Sequence, residues 1–257
     1  MGIVWGAPRG AVPVAPAVAN QLWLRPMARA LNRVQRIAAP ETGAARPDFS
    51  AERTVARLYG VPVAGIDEAG RGPWAGPVVA AAAILDIARP APEGLNDSKK
   101  LTETQRERLF DEITAQAIGF AIGVASHEEI DALNIRRATH LAMMRAVEAL
   151  SLTGVSPTAA LVDGDDPPAL DIPTRALVRG DGSSFSIAAA SVLAKVTRDR
   201  MMAAMDAQYP GYGFARHKGY GTAQHAEALL RLGCCPIHRL TFAPCASAQT
   251  GWVDRQG

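Results

Sequence analysis

Two adjacent carboxylates, Asp67 and Glu68, stand immediately before a glycine-flanked arginine in the segment 70–72. Residues 63–66 before them are apolar and bounded by turn formers, which predicts a β-strand. Successive side chains of a strand point to opposite faces, so one carboxylate can enter a cleft while the other braces it. Arginine can bind a phosphate through two parallel hydrogen bonds, and glycine lets a ligand approach the backbone closely. The run predicts a metal site beside a phosphate site, and the competing interpretation is a turn with one exposed arginine.

Two further acids, Asp163 and Asp181, follow short apolar segments in the same way. Residues 159–162 predict a strand that ends on Asp163, and residues 176–178 predict another that leads to Asp181. Like charges gathered at one sheet edge cannot all stay ionised without a cation. Carboxylate oxygens are hard ligands that select Mg²⁺ or Mn²⁺. We therefore expect metal-dependent phosphodiester hydrolysis, in which two ions activate water and stabilise the leaving oxygen. For any one acid the alternative is a helix cap or an ion-pair partner.

Three cysteines, Cys234, Cys235 and Cys245, form neither a disulfide framework nor a Cys-x-x-Cys pair. Together with His238 they could bind zinc, although structural zinc sites have cleaner pairs of ligands. His217 and His238 are further candidates as proton carriers. The cysteine usage favours a reducing compartment, so we expect a cytoplasmic protein.

The composition is that of a globular protein, because 48% of the 257 residues are hydrophobic. The best candidate for a membrane span, residues 78–85, is far shorter than the roughly 18 to 20 residues required. The net charge is +2, but residues 1–40 hold five arginines and no acid, so the remainder carries 2 − 5 = −3. A nucleic-acid enzyme built on this chain would therefore need a local basic groove.

The first 50 residues, rich in Ala, Pro, Gly and Arg, predict a basic, disordered extension ahead of a catalytic domain at residues 51–257. One amphipathic helix is predicted to start near Pro26, with arginines at three- and four-residue spacing. Such an acid-free segment can resemble a transit peptide. An over-assigned start codon is the other alternative.

From residue 61 onward strands and helices alternate, which predicts an α/β fold. The predicted strands are 63–67, 76–85, 120–125, 159–162 and 176–178, and the predicted helices are 51–59, 103–117, 134–150, 186–207 and 222–232. The first two strands could pair as a hairpin, and residues 209–221 predict a Gly- and aromatic-rich loop. The charged face of helix 134–150, which includes Arg145, is predicted to be solvated.

Four segments in order along the chain resemble those of ribonuclease HII: residues 63–73, 95–101, 187–199 and 212–222. The resemblance runs from about Val63 to Pro244. It implies a ribonuclease H-like fold, with a central mixed five-stranded β-sheet flanked by α-helices and a helical C-terminal part. It also implies hydrolysis of RNA in RNA·DNA hybrids and incision 5′ to a ribonucleotide embedded in duplex DNA. The expected products carry 3′-hydroxyl and 5′-phosphate ends.

The resemblance also implies roles for individual residues. The family's four metal-binding acids fall on Asp67, Glu68, Asp163 and Asp181, which are the acids already indicated by their positions after strands. The Gly-Arg-Gly segment would contact the ribonucleotide, with backbone groups reading the 2′-hydroxyl. The family's tyrosine that stacks at the ribose-to-deoxyribose junction corresponds to Tyr220. Lys99, which precedes the second predicted helix, would contact a phosphate. The expected substrate-binding residues are Gly70, Arg71, Gly72, Tyr220 and Lys99.

Some positions depart from the family pattern. Trp74 stands where the family more often has a smaller apolar residue, and Ser183 lies where a basic residue is often found. Asp165 and Asp166 add two charges close to the third acid and either raise the demand for metal or face solvent. Asp199 lies in a matched segment, but we interpret it as an ion-pair partner on a helix surface.

Three other protein classes fit the sequence less well. Phosphatases with an aspartyl nucleophile typically carry Asp-x-Asp on the first strand, which this chain lacks. A noncatalytic hybrid-binding module is disfavoured because all four acids are present. Ribonuclease HIII carries a folded N-terminal domain, and residues 1–50 are too rich in Pro and Ala to form one. We expect a monomer that binds RNA·DNA hybrid and ribonucleotide-containing duplex DNA, and contact with a sliding clamp stays open.

Overall fold

The computed structural model describes residues 46–248 and the backbone of residues 35–36. Its strands are β1 (Gln35–Arg36), β2 (Val63–Ala69), β3 (Val78–Ile84), β4 (Gly119–Ala125), β5 (Ala159–Asp163) and β6 (Thr174–Leu177). Its helices are α1 (Ser50–Tyr59), α2 (Glu103–Gln116), α3 (His127–Leu133), α4 (Ile135–Leu152), α5 (Phe185–Gln208), α6 (Phe214–His217), α7 (Ala223–Leu232) and α8 (Ala243–Ser247). The helix predicted near Pro26 lies outside the described residues.

The strands form one mixed sheet in the order β1-β6-β5-β2-β3-β4. Strands β6, β5 and β2 are parallel neighbours, and the hairpin β2–β3 and strand β4 add antiparallel pairs. These five strands confirm the expected five-stranded mixed sheet, and the two-residue β1 extends it beside β6. In the parallel part, all three strands run toward the same sheet edge, so the residues that follow them meet there.

Helices cover both faces of the sheet. On one face, Val78, Ala80 and Ala82 of β3 pack in a core with α4, and on the other, Val79, Ala81 and Ala83 pack with α2 and α5. A strand buried on both faces is expected to be apolar throughout, as residues 78–84 are. The side chains of β2 alternate between the same two faces: Ile66 faces α4, and its neighbour Asp67 faces α5.

Two glycines let the helices approach the sheet. A Cβ on Gly65 of β2 would lie 2.1 Å from the backbone carbon of Ser186 at the start of α5. A Cβ on Gly123 of β4 would lie 2.0 Å from the carbonyl oxygen of Ala142 in α4. Because backbone atoms cannot yield cheaply, these positions set how closely the helices pack.

The structure corrects several expectations. Strand β6 starts at Thr174 and ends at Leu177, so the predicted strand 176–178 began two residues late. Helix α3 was missed, although Ser126 and Glu129 form a capping box that signals its start. The short helices α6 and α8 were also missed. Arg145 is buried and not solvated, because its guanidinium bonds the Glu129 carboxylate at 2.7 and 2.8 Å.

The C-terminal segment packs back onto the loop between β2 and β3. Ile237 accepts a hydrogen bond from the Gly76 N–H, and the Arg239 N–H donates to the Trp74 carbonyl. This segment is also held from α3, where the Asp131 carboxylate accepts from Leu240 N–H at 2.8 Å. Within residues 46–248, no helix has the length and apolar composition needed to cross a membrane.

Candidate active site

The ends of β2, β5 and β6 bring three acids together. Carboxylate oxygens of Asp67, Asp163 and Asp181 all lie within 4.8 Å of one another. Within the described residues this is the one cluster of His, Cys, Asp or Glu close enough to hold a metal ion. The three-strand convergence expected from the sequence is therefore observed, whereas Glu68 lies outside this triad.

Asp67 is the most deeply buried member of the triad, with 2% of its surface exposed. Its Oδ1 accepts the Glu68 N–H at 2.7 Å, while its Oδ2 is buried without a hydrogen-bond partner. Burial raises the pKa of Asp67 well above its usual range, and the nearby Glu68 and Asp163 raise it further. A buried oxygen of this kind is costly unless a proton or a cation satisfies it, and a divalent cation suits a set of carboxylate oxygens.

Asp163 and Asp181 are held by the turn that follows β6. The Gly180 N–H donates to Asp163 Oδ1 at 2.7 Å, and Arg179 before it has a left-handed conformation with φ 57°. Burial raises the pKa of Asp163, and the charge of Asp181 adds to the effect. A Cβ on Gly180 would lie 2.5 Å from Ile187 Cδ1, so a side chain there would have to displace the end of this buried isoleucine.

Lys99 places an ammonium group at the triad. Its Nζ donates to Asp181 Oδ2 at 3.0 Å, and Lys99 belongs to a short 3₁₀ turn capped by Asp97. Partial burial opposes the charged lysine, but the hydrogen bond and charge of Asp181 outweigh it and raise the pKa of Lys99. The side chain is mostly exposed, so this ion pair can exchange with solvent or ligand.

Glu68 lies on the opposite face of β2 from Asp67, as alternation predicted. It lines a depression together with Asp163, Arg71 and the α4 residue His140. Burial raises the pKa of Glu68; Arg71, whose Nη1 lies 3.4 Å from Glu68 Oε1, opposes the shift, and Asp163 adds to it. Asp163 thus belongs to the triad and also lies beside Glu68.

Asp165 and Asp166, the two further acids near Asp163, lie in different environments. Asp166 accepts two hydrogen bonds from Arg136, at 2.5 and 2.6 Å, and its main-chain carbonyl lies 2.9 Å from His140 Nε2. The Arg136 hydrogen bonds lower the pKa of Asp166 to about 2, so its charge is balanced locally. Asp165 is exposed. Neither residue joins the triad.

Two of the predicted substrate contacts, Gly72 and Tyr220, are adjacent in space. A Cβ built on Gly72 would lie 3.8 Å from Cε1 of Tyr220, whose side chain is partly exposed. The two segments are also bonded through the Trp74 N–H, which donates to the Gly219 carbonyl at 2.8 Å. The Trp74 ring packs against Gly221, where a Cβ would lie 2.2 Å from the indole. Trp74 therefore supports the tyrosine loop.

Two buried arginines were missed as parts of this site. Arg198 donates to the carbonyls of Pro77 at 2.9 Å, Ala75 at 3.1 Å and Lys218 at 2.9 Å. Arg239 donates to four carbonyls of the β2–β3 loop. Burial lowers the pKa of Arg198 to about 10 and that of Arg239 to about 9. No local motif marks Arg239, while Arg198 lies in a matched segment without an assigned role.

Asp199 is also more than a surface partner, because it is buried. Its carboxylate accepts from Lys195 Nζ at 2.8 Å and lies 3.9 Å from Arg106 Nη2. The interpretation of Asp199 as an ion-pair partner holds, but its predicted place on the helix surface is wrong.

Three of the five histidines, His217, His225 and His238, form a buried cluster. His238 Nδ1 accepts the Cys235 N–H at 2.9 Å, so its Nε2 carries the proton and faces His225 Nε2 at 3.0 Å. His225 Nδ1 must then donate to the Tyr220 carbonyl, at 3.0 Å. His217 Nε2 lies 2.8 Å from the Tyr212 carbonyl. These bonds give His217 and His238 structural partners, and the three buried free cysteines join no metal cluster in the described residues.

Comparisons with known proteins agree with this geometry. The family model of ribonuclease HII matches residues 64–245. The ribonuclease HII of Paracidovorax citrulli is 59% identical over 186 residues, covering 72% of this chain and 76% of that protein.

Two solved structures show the same fold. The ribonuclease H2 of Pyrococcus horikoshii has a TM-score of 0.62 at 28% identity, covering 72% of this chain and 96% of that chain. The ribonuclease HII of Archaeoglobus fulgidus, solved in a complex with PCNA, has a TM-score of 0.58 at 26% identity, covering 71% and 95%. The chain therefore belongs to the ribonuclease HII family, whose enzymes hydrolyse RNA in RNA·DNA hybrids.

Proposed function

We propose that this enzyme incises duplex DNA on the 5′ side of an embedded ribonucleotide, in addition to cutting the RNA of RNA·DNA hybrids. The products would carry 3′-hydroxyl and 5′-phosphate ends. The observation that carries the proposal is a close placement along the chain: one residue after Asp67 and Glu68 the chain enters the turn Gly70–Gly72, in which Arg71 and Gly72 are exposed and Arg71 reaches Glu68. Groups that cut and groups that read the nucleotide would thus lie side by side.

The four acids are the proposed metal ligands. Asp67, Asp163 and Asp181 would hold one Mg²⁺ or Mn²⁺ ion, and Glu68, next to Asp163, would complete a two-ion site. When bound, the ions would supply Lewis-acid activation of water and stabilisation of charge on the leaving oxygen. The unsatisfied Oδ2 of Asp67 and the raised pKa values of Asp67, Glu68 and Asp163 support this assignment.

Substrate contacts would come from the exposed groups around the acids. Arg71 is exposed and makes a single long contact with Glu68, so its guanidinium is available to a phosphate. Lys99, whose exposed ammonium group lies at Asp181, would contact a second phosphate. Tyr220 would stack on the nucleotide next to the ribose, because its ring is accessible and borders Gly72. Backbone groups of Gly70–Gly72 would read the 2′-hydroxyl.

Partners and location are also proposals. The relative solved with PCNA supports testing this enzyme for binding to a sliding clamp. A reducing cytoplasm is consistent with three buried cysteines that remain free thiols. We propose that the enzyme acts as a monomer, which sedimentation of the purified chain would test.

The decisive assay is incision of a duplex DNA that contains one ribonucleotide. All-DNA and all-RNA duplexes serve as controls, with Mg²⁺ and Mn²⁺ tested separately. Asp181→Asn and Asp67→Asn should each lower the incision rate at least about a hundredfold, more than is usual for a residue that only supports a ligand. Binding of RNA·DNA hybrid should largely survive, since neither variant changes Arg71 or Tyr220.

A matched control is Asp111→Asn, which makes the same chemical change at an exposed position on α2. It should cut at the wild-type rate. Undiminished cutting by either acid variant would refute the metal-site assignment. If the wild-type enzyme cut the hybrid but not the single-ribonucleotide duplex, the proposal for embedded ribonucleotides would be wrong.

A further inference from the structure

Arg239 is a fully buried arginine whose hydrogen bonds all go to main-chain carbonyls of the β2–β3 loop. Its Nη2 donates to Gly70 at 2.6 Å and to Pro77 at 3.2 Å, its Nη1 to Arg71 at 2.9 Å, and its Nε to Gly76 at 3.0 Å. One side chain therefore ties together both ends of the loop. Burying a guanidinium is costly, and here carbonyl dipoles provide the compensation.

The bonds from Arg239 determine how two peptide groups are oriented. In a planar trans peptide the C=O of one residue and the N–H of the next point in opposite directions. Since the carbonyls of Gly70 and Arg71 point toward Arg239, the N–H groups of Arg71 and Gly72 point away from it. Arg71 and Gly72 are exposed, and neither N–H has a hydrogen-bond partner within residues 46–248.

A glycine-rich turn does not choose this orientation alone. Gly70 has φ 98°, a region that glycine enters readily, and glycine allows several other conformations of similar energy. Holding both carbonyls selects one of them. Arg198 provides a second set of hydrogen bonds to this loop. Its bonds to the carbonyls of Ala75, Pro77 and Lys218 join the loop to the segment that carries Tyr220.

We propose that Arg239 is a positioning residue for ribose recognition. It orients the peptide groups Gly70–Arg71 and Arg71–Gly72 so that their N–H groups face the nucleotide whose 2′-hydroxyl is read. Arg239 itself touches no substrate, because it is enclosed behind the turn. The inference rests on the proposed function, in which this turn contacts the ribonucleotide.

The test compares affinity for ribonucleotide-containing and ribonucleotide-free duplexes. Incision of a labelled duplex with one ribonucleotide gives KM, and inhibition by the same duplex made entirely of DNA gives Ki. The ratio Ki/KM measures selectivity for the ribose and does not depend on the fraction of folded enzyme. A purely structural role would lower the amount of active enzyme and leave this ratio unchanged.

Two variants and a matched control are needed. Arg239→Lys keeps the charge but cannot hold four carbonyls in the arginine geometry, and Arg239→Met removes the donors. We expect Ki/KM to fall by about tenfold in Arg239→Lys, as for the loss of one or two ordinary hydrogen bonds, and at least as much in Arg239→Met. Arg145→Lys, at another buried arginine that bonds a main-chain carbonyl but none of the β2–β3 loop, should keep the wild-type ratio.

The outcomes distinguish a failure of the positioning role of Arg239 from a failure of the proposed function. A wild-type ratio in Arg239→Lys would overturn the positioning role, as would an equal fall in Arg145→Lys. Failure of both Arg239 variants to fold would also overturn it, since the residue would then act on the whole fold. If the wild-type enzyme itself showed no preference for the ribonucleotide-containing duplex, the proposed function would fail first, and the role of Arg239 with it.

Discussion

Replacing Gly70 by alanine should destabilise the folded domain, whereas the same replacement at Gly72 should leave the fold intact. At Gly70 an added Cβ would lie 2.0 Å from Arg198 Nε, 2.4 Å from its Cδ and 2.8 Å from the Pro77 carbonyl oxygen. At Gly72 the nearest atom is Tyr220 Cε1 at 3.8 Å, an ordinary van der Waals distance. The two positions lie two residues apart in one turn, so they form a matched pair.

The expected cost at Gly70 has two parts. Its φ of 98° is unfavourable for any residue with a Cβ, which costs roughly 1 to 2 kcal/mol. Overpacking adds about 1 to 3 kcal/mol, because Arg198 is buried and held by three backbone carbonyls and cannot move aside cheaply. The total is about 2 to 5 kcal/mol, which for a domain of this size lowers the melting temperature by roughly 4 to 20 °C.

Thermal unfolding followed by circular dichroism measures this contrast. Gly70→Ala should melt at a clearly lower temperature than wild type, and Gly72→Ala should melt within about 2 °C of it, as surface substitutions usually do. Gly72→Ala should still lower the incision rate at a single ribonucleotide, since its methyl group enters the surface beside Tyr220. Equal melting temperatures for the two variants would refute the reasoning that Arg198 and the backbone conformation require glycine at position 70.

Three other predictions concern neighbouring groups. Tyr220→Ala should reduce incision at a single ribonucleotide by about tenfold or more through lost stacking, measured by single-turnover kinetics, and all-DNA duplex cut as fast as that substrate would disprove ribose reading. Glu52→Leu should lower the free energy of unfolding by about 1 to 3 kcal/mol, because the buried Ser186 N–H loses its acceptor, while Glu52→Gln should cost less in the same denaturant titration. Burial lowers the pKa of His238 and His225 to about 4 in the folded protein. In the unfolded chain a histidine has a pKa of about 6.5, so below that pH the unfolded chain binds protons that the folded protein does not bind. These histidines therefore lower the free energy of unfolding as the pH falls from about 6.5 toward 4. In urea titrations over that window, His238→Gln should lose less of this free energy than the wild type. An unchanged dependence of the unfolding free energy on pH would contradict the assignment.

Local sequence patterns were sufficient for much of the fold and for the acids. Alternation along β2 predicted that Asp67 and Glu68 face opposite ways, and the apolar character of residues 78–84 predicted a strand buried on both faces. Asp163 and Asp181 were found because each follows a short apolar strand. Such predictions succeed because they depend on the geometry of neighbouring residues within one element.

Tertiary packing alone decided how the site is supported. Arg239 bonds the Arg71 carbonyl across 168 positions of sequence, and His225 bonds the Tyr220 carbonyl through a tautomer that His238 determines. Arg145 and Asp199 looked solvated because helical periodicity reports which face is apolar, not whether a charged side chain finds a buried partner. The sequence by itself determined which residues are proposed to do the chemistry, and only the folded structure decided which backbone groups they are held against, because those bonds form between distant segments.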